Sequence, residues 1–589
     1  MRGGASIALA MASAVLVHAQ APREARSAGT AALAGGVIIE GTNADPARNA
    51  VVTLNSASAG VHRTTVADAN GRFAFDGLPA GAYLVAASKP GYVTSAYGAR
   101  RPGRPGTPIA VAESARVEIE LRLPRGAVVT GRVLDDTGAP AFMAAVHVLQ
   151  YRWVNGRRTL TSPAGVFDAP RAIADDRGEY RIYGLPPGEY VVAAAPGIGS
   201  PMVNPAREIG AWEFQKAARL IEGRVSRTRP SREPARTWGY APVFYPGTSD
   251  ITQAQPLRLR AGEEQSGVDL AMSLVPVATL SGTVSLPDGV QPGAVQVSMV
   301  PAGDHLPTQG IGTGGAFLGF ANARLDAGGR FQVTGVAPGE YVIFARASKP
   351  AIHVAIARVV VSGADASVSL TMQPAATLSG RVEMRTAVPT EVLTGLRVQL
   401  SLIDAADGMA VASAPAVVGR DGTFTLTGVT PGRYRVDLLD VPDAWTLTAA
   451  TWDGRDVFDG ALDPSTGAPS EPVIVTLSDR PSELTGRLQD AVGQSAPEYF
   501  VVVFPADRAR WMWQSRRIHA VRPSSDGRYT VRGLPAGDYL LGVVSDVEPN
   551  EWFDPAFLET LAPAAVRVTI AAGDRTTMDL RIAGGSDQP

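Results

Sequence analysis

The chain has 589 residues, well past the ~250 to 300 at which a single hydrophobic core stops growing, so several domains are required. Hydrophobic residues at 45% exclude wholesale disorder, and 63 Gly and 45 Pro with few aromatics indicate short strands joined by specified turns. The 54 basic and 56 acidic residues are interspersed, which excludes a nucleic-acid-binding stripe and a polybasic membrane anchor; zero cysteines exclude disulfides, thiolate chemistry and a lipidated cysteine.

Met1-Arg2, the apolar run from Ala5 to Val17 and then Val17-His18-Ala19 have the form of a signal peptide, residues 1–19, cut before Gln20. Export to the periplasm, the cell surface or the medium is the expectation. Residues 20–35 read as a linker. No later window holds ~18 consecutive apolar residues, so no transmembrane helix is expected after cleavage.

One segment then recurs five times without a gap: Gly71 to Tyr83 (GRFAFDGLPAGAY), Gly178 to Tyr190 (GEYRIYGLPPGEY), Gly329 to Tyr341 (GRFQVTGVAPGEY), Gly422 to Tyr434 (GTFTLTGVTPGRY) and Gly527 to Tyr539 (GRYTVRGLPAGDY). The first Gly of each, often preceded by Asp as in Asp421-Gly422 and Asp526-Gly527, suits the positive φ of a tight turn that launches a strand. Alternation follows, as in Phe331, Gln332, Val333, Thr334, which is the pattern of a half-buried strand. Gly77, Gly184, Gly335, Gly428 and Gly533 break that strand. A turn ending at Gly81, Gly188, Gly339, Gly432 or Gly537 reverses the chain. The Tyr that follows, Tyr83, Tyr190, Tyr341, Tyr434 or Tyr539, starts the return strand with its ring packed and its hydroxyl requiring a partner at the rim. These positions read as structural.

The flanks repeat too. Four modules open on Thr130-Gly131-Arg132-Val133, Ser281-Gly282-Thr283-Val284, Ser379-Gly380-Arg381-Val382 and Thr485-Gly486-Arg487-Leu488, and the first on the looser Gly36 to Gly41. Alternating strands such as Val117 to Leu121 and Val368 to Met372 close them. The expected modules are 36–124, 125–276 with an insert at about 197–237, 277–375, 376–480 and 481–584, with a tail at 585–589. Their short junctions suggest a semi-rigid, curved or elongated rod.

The launching turn, the return to Tyr and the opening strand together resemble the carboxypeptidase regulatory-like domain, a transthyretin-like β-sandwich. The resemblance covers nearly the whole chain beyond the signal peptide, and related Ig-like, carbohydrate-binding-like (starch-binding) and collagen-adhesin sandwiches share its turn grammar. It implies an all-β tandem array of five sandwiches with one partly helical insert. In metallocarboxypeptidases this domain accompanies a separate zinc-bearing catalytic domain. Here none of His18, His62, His147, His305, His353 and His519 begins the His-x-x-Glu pair those enzymes use. The Lys-to-Asn isopeptide bond of collagen-adhesin sandwiches has no candidate, since Lys89, Lys216 and Lys349 lie outside the opening strands.

No nucleophile elbow, zinc-protease helix or phosphate loop is present, so no catalytic, cofactor or metal residues are assigned. Asp453-Gly-Arg-Asp456-Val-Phe-Asp459 has carboxylates on a turn but not the EF-hand spacing, and reads as a solvated acidic hairpin. The insert carries a helical apolar pattern over 205–222, including Trp212, then a basic stretch from Arg224 to Arg236 and an aromatic patch at Trp238, Tyr240, Phe244 and Tyr245. In the last module Trp511, Trp513 and Trp552 lie in loops. Clustered loop aromatics either bury one another or stack on a ligand. Three functions stand: a non-catalytic binding or scaffold protein of the cell envelope with an envelope protein or polysaccharide as partner; a carbohydrate-binding protein using the aromatics of module five, with Trp212, Trp238, Tyr240 and Tyr245 as further contacts; and an accessory or cryptic hydrolase.

Overall fold

The computed structural model describes residues 29–582 apart from 42–43, 57–59, 155, 162, 164–170, 198–205, 208–236, 303–320, 350, 385–392, 405–413, 443 and 465–470. The signal peptide, the tail and Trp212 lie outside the described residues. Five β-sandwiches follow one another, each with its own apolar core.

The layout is clearest in module three. Its opening strand Leu274–Ser285 lies between the launching strand Arg330–Val336, antiparallel to it, and the closing strand Ala366–Thr371, parallel to it. The facing sheet runs Ala321–Arg324, Val295–Pro301, Gly339–Ala347, His353–Val361. Module four departs from this arrangement. Its strand Thr446–Trp452 pairs with the closing strand Val473–Ser478 instead of joining the return strand Arg433–Leu439.

Register explains why two motifs far apart in sequence recur together. The opening-strand glycine stands opposite the launching-strand aromatic in every module: Gly35 and Phe73, Gly131 and Tyr180, Gly282 and Phe331, Gly380 and Phe424, Gly486 and Tyr529. The ring lies over the glycine. A Cβ on Gly380 would stand 2.1 Å from the Phe424 ring and 2.6 Å from the Val473 carbonyl of the closing strand; one on Gly486 would stand 1.8 Å from the Met578 carbonyl. Two rows later the opening strand takes its next bond, with the N–H groups of Val37, Val133, Val284, Val382 and Leu488 donating to the carbonyls of the five launching glycines, each at 2.8 Å. Those launching glycines all have φ between +72° and +79°, a region costly to other L residues.

Aspartates cap the launching turns. Asp68, Asp175 and Asp326 each accept from the N–H groups two and four residues on, whereas Asp421 and Asp526, beside their glycines, accept from Thr423 and Arg528. The return-strand tyrosines close the other end. Every hydroxyl donates to the carbonyl four residues back: Tyr83 to Pro79, Tyr190 to Pro186 and Tyr539 to Pro535 at 2.6 Å, Tyr341 to Ala337 and Tyr434 to Thr430 at 2.9 Å. Buried hydroxyls need such partners, and a tyrosine held back to its own turn pins that corner of the sandwich.

Four expectations are corrected. The first opening strand spans Ala31–Ile39, so residues 31–35 are core strand rather than linker, and Gly35, not the Gly36 to Gly41 stretch, holds the motif position. The third module's opening strand begins at Leu274, ahead of 277. Ala206–Arg207, placed at the start of a helix, form a strand antiparallel to Thr237–Tyr240, because that strand offers an edge to pair with; residues 208–222 lie outside the described residues. Thr237–Tyr240 in turn pairs with Leu274–Val277, so the second module lends a strand to the sheet of the third. The fourth correction is to the elongated form of the expected curved or elongated rod. Module five bonds to module four, as neighbours should, but also to modules one and two: Arg522 donates to the Gly98 carbonyl at 2.6 Å, and Asn550 to the Trp153 carbonyl at 3.3 Å. Side chains at the surface of module five, unreadable as contacts from sequence, turn the chain back on itself.

Candidate functional site

Module five is where unusual side chains collect, and its middle strand shows why. Phe500–Pro505 is buried at every residue, on both faces of its sheet, as continuous apolar runs in a sheet require. One face meets the sandwich core. The other carries a second apolar cluster of Val502, Phe504, Trp511, Ile518 and Leu558, bordered by Trp552, Phe553 and Phe557. A helix, Pro555–Leu561, capped by the Asp554 side chain, lies over that face with the loop 508–518.

The candidate ligand-contact tryptophans are components of this lid. Trp511 is buried, its indole N–H donating to the Pro505 carbonyl at 2.7 Å and its ring edge-on to Phe504. Trp513 and Trp552 are half-buried. Both pack on Phe553, at interplanar angles of 64° and 54°, so each ring has a protein partner within the lid. Trp513 also lies beside Gly156 of module two, and its buried indole nitrogen has no acceptor among the described residues.

The aromatics of module two are dispersed. Trp238 sits in the strand added to module three's sheet. Tyr240 donates to the Asp136 carboxylate, and burial together with that neighbour pushes its hydroxyl up to about 12. Tyr245 packs at the margin of the module's core. Trp452 belongs to the core of module four and Trp445 packs against it.

Sequence reasoning missed the charged joint between modules four and five. Arg517 donates to Asp459 at 2.6 Å, both side chains less than one-tenth exposed, and Asp459 also accepts from the Ser515 hydroxyl and the Arg516 backbone. Arg516 reaches the Val436 and Phe458 carbonyls and Asp437, while Arg435 donates to the Gln514 carbonyl at 2.6 Å. Both Arg516 and Arg517 stack over the Phe458 ring. Burial pulls the Arg516 guanidinium below its ordinary value. Burial alone would raise Asp437, but the Ser401 hydrogen bond and the Arg435 and Arg516 charges outweigh it and hold the carboxyl low. Asp459, read as part of a solvated hairpin, is thus an interface anchor; Asp456 accepts from the Phe458 backbone. The adjacent Arg516-Arg517 in a loop beside tryptophans was the available signal.

Chemistry is sparse elsewhere. Among the described residues no group of three or more His, Asp or Glu is placed to hold a metal ion. A pocket of about 340 Å³ beside Tyr539 is lined by Arg510, Arg517 and Arg567, each already paired with an aspartate. The larger cleft, about 650 Å³, lies on module three's launching, opening and closing strands and offers Ser281, Thr283, Gln332, Ser367 and Ser369 beside Arg324 and Arg330. The corresponding faces of modules one, two and five are crossed by ion pairs, Arg72 to Glu118, Arg181 to Glu264 and Arg532 to Glu483. No described helix is long and apolar enough to cross a membrane.

This architecture defines a tandem β-sandwich protein whose modules share one interlocked motif. Residues 34–123, the first sandwich, match the model of the carboxypeptidase regulatory-like domain. No curated protein sequence matches the chain. Among solved structures it is similar to the TIE protein of Bacillus anthracis (11% identity over 75% of this chain and 69% of that one, TM-score 0.15). It is also similar to GBS52, the minor pilin of Streptococcus agalactiae (15% identity, 44% and 100%, TM-score 0.21), and to BcpA, the major pilin subunit of Bacillus cereus (11%, 58% and 100%, TM-score 0.13).

Proposed function

We propose that the chain is an extracytoplasmic, non-catalytic scaffold of the cell envelope that presents sandwich surfaces to a protein partner. The observation that supports this best is how its distinctive side chains are used. The repeated glycines, aspartates and tyrosines fold each module, and the aromatics and arginines of module five join it to its neighbours. Among the described residues these side chains serve folding and the joints between modules.

The test is equilibrium binding of the purified chain to isolated cell envelopes stripped of either protein or polysaccharide. Binding that survives glycan removal and disappears after protease treatment supports the scaffold; the reverse pattern overturns it. A second reading, carbohydrate recognition, is favoured by one observation, the hydroxyl- and amide-lined cleft of module three. It moves the sugar site away from Trp511, Trp513 and Trp552. If it holds, binding to a soluble glycan is lost in S281A/Q332A/S369A and kept in W552A.

A further inference from the structure

We propose that modules one and five form an intramolecular electrostatic clasp that closes the chain on itself and opens as ionic strength rises. This goes beyond the scaffold reading, because it concerns which surfaces the molecule exposes under given conditions, whatever it binds.

The two halves are complementary in charge and lie 444 positions apart where Arg104 meets Glu548. Between two short strands of its second sheet, module one projects a loop bearing Arg100, Arg101 and Arg104. Module five meets it with Asp546 and Glu548. Arg101 lies 3.5 Å from Asp546, and Arg104 lies 3.9 Å from Asp546 and 3.3 Å from Glu548. Arg100 donates to the Ser545 carbonyl and stacks over the Tyr499 ring. The acidic loop is held in shape by the Glu551 carboxylate, which accepts from the Glu548 N–H at 2.7 Å.

A second set of contacts fixes the register. Arg522 of module five donates to the Pro105 and Gly98 carbonyls of the loop and to Pro497 of its own module. Ser525 exchanges two bonds with module one, its N–H to the Pro108 carbonyl at 2.8 Å and its hydroxyl from the Ala110 N–H at 3.1 Å. No apolar cluster spans this joint among the described residues. Attraction across it is therefore mostly polar.

Such a joint is conditional. Arg101 is largely exposed, whereas Arg104, Asp546 and Glu548 keep 20 to 39% of their side-chain surface in contact with solvent. Ion pairs open to solvent contribute only about 0 to 1 kcal/mol each, and the screening length shrinks from roughly 10 Å at 0.1 M salt to about 3 Å at 1 M, with the Arg101 pair the most sensitive. The intervening modules hold the halves at a high effective concentration, so weak pairs suffice at low salt. The arginine loop docked on the acidic loop is thus a closure that salt loosens while each sandwich core stays intact.

The experiment is small-angle scattering with light-scattering mass on the full chain at 20 mM and 1 M salt, for wild type, D546R/E548R, and the charge-exchanged R101E/R104E/D546R/E548R. The expected result is a monomer whose radius of gyration is larger at 1 M than at 20 mM salt. D546R/E548R should be expanded at both salts, and the exchanged variant compact again at 20 mM. A wild-type radius independent of salt, a D546R/E548R protein that stays compact, or an expansion the exchange fails to reverse overturns the clasp. A dimeric mass at low salt overturns its intramolecular character.

Discussion

Arg517 and Asp459 meet at 2.6 Å across the boundary between the fourth and fifth sandwiches, nearly sealed from solvent. Removing one partner of a buried pair leaves the other charge desolvated, which costs about 3 to 5 kcal/mol, whereas removing both is far milder. D459A should therefore lower the denaturation midpoint more than D459A/R517M does. Urea titrations of the two variants check this; equal losses would mean the pair does not act as a unit.

The glycine-aromatic pairs make opposite predictions in two modules. On Gly282 the nearest atoms an added Cβ meets are all of the Phe331 ring, from 2.2 Å, whereas on Gly486 it meets the Met578 backbone carbonyl at 1.8 Å. Overpacking costs about 1 to 3 kcal/mol. Truncating the ring should recover part of that loss in G282A/F331L and none in G486A/Y529L. Thermal melts of the singles and doubles measure the difference.

The corner tyrosines should each be worth at least the hydrogen bond to their own turn, and Tyr434 and Tyr539 also meet the Thr430 hydroxyl and Arg517. Tyr539 is buried and its hydroxyl donates to Pro535 at 2.6 Å, so Y539F leaves that carbonyl without its partner and should cost about 1 kcal/mol without changing the fold. Hydrogen exchange in Gly537–Val544 should quicken accordingly.

His147 sets a pH dependence. Burial, reinforced by the Arg171 charge, pushes its imidazole down to about 4 from the ordinary 6.5. Between those values the unfolded chain binds a proton that the folded chain refuses. Its contribution is therefore complete above pH 6.5 and is lost as pH falls toward 4, by up to about 3 kcal/mol. H147Q should flatten the stability of module two over that interval, as read by denaturation at pH 7 and pH 5.

What could be read from the sequence follows interaction range. The launching glycines, the alternating strands and the return tyrosines declare themselves because each acts on residues a few positions away. Even their interlock is foreshadowed, since a glycine and an aromatic such as Gly380 and Phe424 recur in every module, although far apart in sequence and brought together only by folding. Gly35 escaped notice because Ala34 replaces the usual hydroxyl residue before it. The aromatics were ambiguous in kind: Trp511 in a loop has the same local sequence signature whether it faces a sugar or the back of Phe504. The joints left almost no trace beyond the adjacent Arg516-Arg517. Nothing local distinguishes an arginine such as Arg522, bound to carbonyls in module one, from one facing water.

One feature of every module sets how it would respond to tension along the chain. The strand by which the chain enters a sandwich and the strand by which it leaves are parallel neighbours, as in Ala32 to Ile39 beside Arg116 to Leu123 and Gly380 to Met384 beside Val473 to Leu477. Entry and exit thus lie at opposite ends of the module. Tension between them pulls along the ladder, so its hydrogen bonds resist together in shear instead of parting one after another like a zipper.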